Sequence, residues 1–156
     1  MPGRVFEAGG ICSAGSSPER RYSVYLIDKA SNFEETAVRM YSHRVLEQFQ
    51  NTRRVGELPD ADAYVQVDNP ACGDLLRMSV KVSHGKIVDA RYRVRGCVAA
   101  VACAAQLADM LCDRSLAEAR ALTREEIVAA LGGLPEASVH ASHLAMDALA
   151  ATLKQF

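Results

Sequence analysis

Two stretches of alternating apolar residues, Leu75 to Val82 and Ile87 to Val94, are separated only by Ser83-His84-Gly85-Lys86. That spacing predicts a β-hairpin, because period-two alternation marks half-buried strands and a short Gly-containing link can only return the chain antiparallel. Ala63 to Val67 alternates in the same way and is expected to add a third strand. The remaining patterned segments read as helices that must cover this sheet. Asn32 stands as N-cap before Glu34 and Glu35, and Ala37, Val38, Tyr41, Val45, Leu46 and Phe49 follow at helical spacing, so one amphipathic helix is expected from Asn32 to about Gln50. Asn51 to Asp62, with Gly56 and Pro59 among charges, reads as a connecting loop. Val98 to Leu111 is rich in Ala and poor in β-branched residues, which favours helix. Ser115 with Glu118, and Thr123 with Glu126, have the spacing of capping boxes and predict two short helices. After Gly132-Gly133 and Pro135, helical spacing resumes from Ala141 to Leu153. The order describes an α+β fold: a small three-stranded antiparallel sheet with helices packed on one face.

Composition limits the partners. In 156 residues there are 18 Lys and Arg against 19 Asp and Glu, a net charge of −1, with 49% apolar residues. This is enough to bury a core, and it lacks the basic excess that nucleic acid or an anionic membrane surface requires. No run long and apolar enough for a membrane span occurs. Five cysteines, an odd number, without a secretory leader point to reduced thiols and a cytoplasmic protein. The first twenty residues are rich in Gly, Ser and Pro, and a short strand-like run, Tyr22 to Ile27, follows. Residues 1–32 are therefore expected to be an extension, flexible or docked on a partner, ahead of a domain at 33–156.

The chemistry concentrates at loops. Cys72 and Asp74 lie in Pro-Ala-Cys-Gly-Asp just before the hairpin, and Cys97 lies in Arg-Gly-Cys just after it. Because a hairpin returns the chain to the end from which it started, these residues are expected side by side. Gly73 and Gly96 allow tight turns beside each cysteine, and Cys97 opens a helix whose amides and dipole favour a thiolate. His140 and His143 begin the last helix on neighbouring surface and are candidates to complete a site. Thiolates, imidazole and a carboxylate suit zinc or an iron–sulfur cluster. The same residues admit a cysteine nucleophile with His140 as base, although no oxyanion donors can be named. Cys103 and Cys112 are expected in the core, Cys12 as a free thiol, and Asp109, Asp113 and Asp147 as solvated helix charges.

From Tyr41 to about Leu153 the chain resembles the U-type iron–sulfur cluster assembly scaffolds, the IscU family and the N-terminal domain of NifU. The matching stretches are YSHRVLEQFQNTRRVG, NPACGD, GKIVDARYRVRGC, RSLAEA and LPEASVHASHLAMDAL. The resemblance implies a labile [2Fe-2S] cluster or iron, with zinc as an alternative occupant, held by Cys72, Asp74, Cys97 and His140. It also implies sulfur delivery by a cysteine desulfurase and transfer to recipient apo-proteins, without catalysis in the usual sense. In that family a third cysteine directly follows the histidine, and here that position is Ala141. The family's chaperone-recognition segment is replaced by Leu134-Pro135-Glu136-Ala137-Ser138, and the polar serines of the helix after Cys97 by Ala100, Cys103, Ala104 and Ala105. These departures leave an alternative expectation: a degenerate scaffold homologue serving as an interaction or structural subunit of a larger complex, joined through its N-terminal extension.

Overall fold

The computed structural model describes residues 39–156. The strand-like run at Tyr22–Ile27, the N-cap at Asn32, Cys12 and the whole proposed extension lie outside the described residues. Three strands, β1 (Ala63–Asn69), β2 (Asp74–Ser83) and β3 (Lys86–Arg95), form one antiparallel sheet in the order β1-β2-β3. The hairpin between β2 and β3 turns at His84 and Gly85 with φ of 51° and 75°. Positive φ at both central residues gives the turn the twist that adjoining strands require. A register shift between Lys81 and Val82 lets both Ala90 and Ile87 enter the core, although simple alternation would put them on opposite faces.

The core lies between one face of the sheet and the helices. Leu76, Met78 and Val80 of β2 and Tyr92 of β3 are buried there. Against them packs α2 (Val98–Leu111), which buries nine of its 14 residues. Most of those nine are Ala, and the short side chains let neighbouring elements approach the helix on several sides. α1 (His43–Gln50), α3 (Leu116–Ala121), α4 (Arg124–Ala130) and α5 (Val139–Leu153) complete the layer, with a 3₁₀ turn at Glu136–Ser138 leading into α5. The expected α+β architecture is the one found, and both capping boxes are present, at Ser115/Glu118 and Thr123/Glu126.

Two expectations need correction. The helix expected to run unbroken from Asn32 is interrupted at Tyr41 and Ser42, and α1 starts afresh with Ser42 as its N-cap. Ser42 Oγ accepts the Val45 amide and donates to the Leu131 carbonyl, so tertiary contact with the end of α4 fixes a break that helical spacing does not reveal. Asp109 is not a solvated helix charge. Its carboxylate pairs with Arg54 at 2.7 Å and Arg53 at 3.6 Å and accepts hydrogen bonds from Gln48 and Asn51. Arg54 also reaches Asp89 of β3 at 3.5 Å, and the loop after α1 is thereby clamped to α2 and the sheet. The same loop runs beside β3, where Tyr92 exchanges backbone hydrogen bonds with Arg54 and Gly56. No helix among the described residues is long and apolar enough to cross a membrane.

Candidate metal centre

Strand register decides the geometry of the site. Asn69 pairs with Asp74 across β1 and β2, so the connection is the tight turn Pro70-Ala71-Cys72-Gly73, held by the Gly73 amide on the Asn69 carbonyl at 2.8 Å. Gly73 adopts φ of 73°, the left-handed conformation that a side chain disfavours. Leu75 pairs with Arg95 across β2 and β3, which brings the chain after β3 back to the start of β2. Cys72, Asp74 and Cys97 therefore share one end of the sheet. Cys72 is exposed at the tip of its turn, Asp74 is 6% exposed, and Cys97 is half-buried.

Cys97 is the N-cap of α2. Its Sγ accepts the Ala100 amide at 3.4 Å, the place usually taken by a Ser or Asp oxygen. Its thiol also reaches Asp74 Oδ2 at 3.9 Å and lies 4.0 Å from His140 Nε2. His140 comes from the first turn of α5, and its Nε2 stands 3.5 Å from the same Asp74 Oδ2. One donor atom each from Cys72, Asp74 and His140 lie within 4.8 Å of one another. Asp74 and His140 are thus common neighbours of both thiols. A nearly buried carboxylate beside an imidazole and two sulfur donors is a mixed soft and hard set able to hold a borderline-soft cation.

The other candidates lie elsewhere. His143 is exposed on α5, and Ala141, beside His140, is 1% exposed in the core. Cys103 is fully buried, as expected for a small apolar residue, whereas Cys112 is only half-buried at the C-cap of α2. Burial, and secondarily the nearby charge of Cys97, push the Cys103 thiol up to about 12. At pH 8 it stays protonated, and it is the thiolate that attacks alkylating agents. Iodoacetamide on the native chain should label Cys72 readily and Cys103 only after urea is added, as read by peptide mass spectrometry. The helix-start amide on Cys97 is the one the sequence led us to expect, supplied by Ala100. The space beside Asp74 at Gly96 gave little signal, and only a glycine next to a candidate cysteine could have suggested it.

Residues 40–156 match the family model of the NifU-like N terminal domain. The chain belongs to that family. It is 43% identical over 110 residues to the iron-sulfur cluster assembly scaffold protein IscU 1 of Archaeoglobus fulgidus, covering 70% of this chain and 72% of the relative. It is 34% identical over 141 residues to the iron-sulfur cluster assembly enzyme IscU of Drosophila melanogaster, covering 88% and 91% of the two chains. The crystal structure of a NifU-like N-terminal protein from Brucella abortus superposes with a TM-score of 0.60 at 23% identity, over 73% of this chain and 92% of that one. This last likeness bears on the fold.

Proposed function

We propose that the protein is a scaffold for iron–sulfur cluster assembly, holding iron and sulfide as substrate on Cys72, Asp74, Cys97 and His140 until the product passes to another protein. The observation that carries this reading is the gathering of donors from two turns and a helix around the Asp74 carboxylate. Family membership supports it. The donors fit the cargo: thiolates are the usual ligands of iron–sulfur clusters, and imidazole replaces thiolate in some of them. Cys72, at the exposed turn, is the thiol that a sulfur donor reaches first, whereas the half-buried Cys97 anchors the inner side. Asp74, shielded by burial, holds its oxygen toward both His140 and Cys97.

In this reading the chain binds, orients and releases without turning over a substrate of its own. A cysteine desulfurase supplies sulfur at the persulfide level, an external two-electron reductant brings it to sulfide, recipient apo-proteins accept the product, and a reducing, cytoplasmic setting keeps the thiols free. With Ala141 in place of the third cysteine that the family resemblance implies, the cluster rests on two thiolates and is held loosely, as suits a product that leaves. Zinc competes for the same donors.

Anaerobic incubation of the full chain with ferrous iron and sulfide tests the proposal. Wild type should develop the visible absorption of a protein-bound cluster, and Cys72→Ser should lose most of it while retaining the wild-type circular dichroism. A wild-type chain that stays colourless, or colour that survives in Cys72→Ser, would overturn the assignment. Colourless protein carrying one stoichiometric zinc would instead favour a structural subunit.

A further inference from the structure

Gly96 stands between the two halves of the site, one residue before Cys97, and its backbone is not left-handed. Conformational freedom therefore does not explain a glycine there. Space does. A Cβ at Gly96 would stand 2.9 Å from both Cγ and Oδ1 of Asp74 and 3.1 Å from the Ala100 Cβ. The first two separations are shorter than any real side chain shows, and the atoms met are the short, nearly buried arm of Asp74, which has few places to go.

The two oxygens of Asp74 thus have different neighbours. Oδ1 lies over Gly96, and Oδ2 faces His140 Nε2 at 3.5 Å and Cys97 Sγ at 3.9 Å. We infer that Gly96 is a positioning residue for metal binding: the absence of its side chain forms the seat in which the Asp74 carboxylate lies so that its other oxygen is presented to the His140 imidazole and the Cys97 thiol. The backing behind Asp74 is therefore the bare Cα of Gly96. Any larger residue at 96 displaces the carboxylate while leaving both sulfurs and the imidazole in the chain. The inference rests on the reading of this rim as a metal-holding site.

The test is a double-mutant cycle on the full chain, titrated with Co2+ alone and read by the sulfur-to-cobalt charge-transfer band. Gly96→Ala should weaken Co2+ binding about tenfold when Asp74 is present, the lower end of the loss seen when a supporting partner of a metal ligand is removed. In an Asp74→Ala background the same change should weaken it less than about twofold, since the displaced group is already gone. The contact with Ala100 is controlled by comparing Gly96→Ala/Ala100→Gly with Ala100→Gly, where the tenfold loss should persist. That pair also serves if Gly96→Ala alone fails to fold. Equal losses with and without Asp74 would show a general structural effect and overturn the inference. A metal-free measurement separates it from the function proposed above. At fixed pH the His140 Nε2 nitrogen resonance in Gly96→Ala should move toward its position in Asp74→Ala. If it does so in a chain that takes up no Co2+, the metal reading falls and the seating of Asp74 by Gly96 stands. An unmoved His140 resonance overturns the inference however well metal binds.

Discussion

Cys97→Ser is expected to weaken iron and Co2+ binding at least tenfold while leaving thermal stability unchanged or slightly higher. The two effects separate because Cys97 has two roles that serine fills unequally. As the N-cap of α2 it accepts the Ala100 amide, and a Ser oxygen is among the best groups for that position. As a donor it offers a soft sulfur beside Asp74 and His140, and a neutral hydroxyl is a poor substitute for a thiolate on iron or zinc. Losing one donor outright should cost at least the 10- to 100-fold that follows loss of a supporting partner alone. Cys97→Ala should show the same loss of binding and in addition lower stability by about 1 kcal/mol, because the cap acceptor is gone. Binding curves with Co2+ and thermal unfolding of the metal-free chains check both halves. Undiminished metal binding by Cys97→Ser would remove Cys97 from the site, and marked unfolding of the serine variant would show that its sulfur is chiefly a core group.

The largest effect on stability is expected from Leu107→Ala. Leu107 is fully buried on α2, the helix that contacts α1, β3 and α5 together. Truncation removes its apolar area from the core and leaves a cavity, which its own helix, whose other buried residues are mostly Ala, has little side chain to fill. The loss should be about 3 kcal/mol, a fall of about 10 °C in the unfolding midpoint for a domain of this size. Urea titration should show a lower midpoint with an unchanged slope. Co2+ affinity measured well below the midpoint should stay near the wild-type value, because Leu107 lies nearly three turns along α2 from its N-cap Cys97. A change below about 1 kcal/mol would mean that α2 is less central to the core than its burial implies.

The local elements were legible because each depends on neighbours in sequence. The β2–β3 hairpin follows from alternation plus a short Gly-containing link, and the short helices follow from Ser115/Glu118 and Thr123/Glu126, whose side chains satisfy amides only three residues away. The interruption at Ser42 was not legible. Its second partner is the carbonyl of Leu131, far along the chain, so helical spacing on either side reads straight through it. Asp109 misled for the same reason: an acid on a helix looks solvated until Arg54 arrives from a loop that precedes all three strands.

The sequence by itself determined which residue types sit at the turns, two thiols and an acid flanking a hairpin with histidine at a helix start, because hairpin chemistry and capping act within a few residues. Only the tertiary structure decided that Asp74 Oδ2 faces His140 and Cys97 while its other oxygen lies over Gly96. That arrangement needs a strand register and a helix docking set by burial over the whole core, and a donor displaced by about one ångström changes what the site can hold.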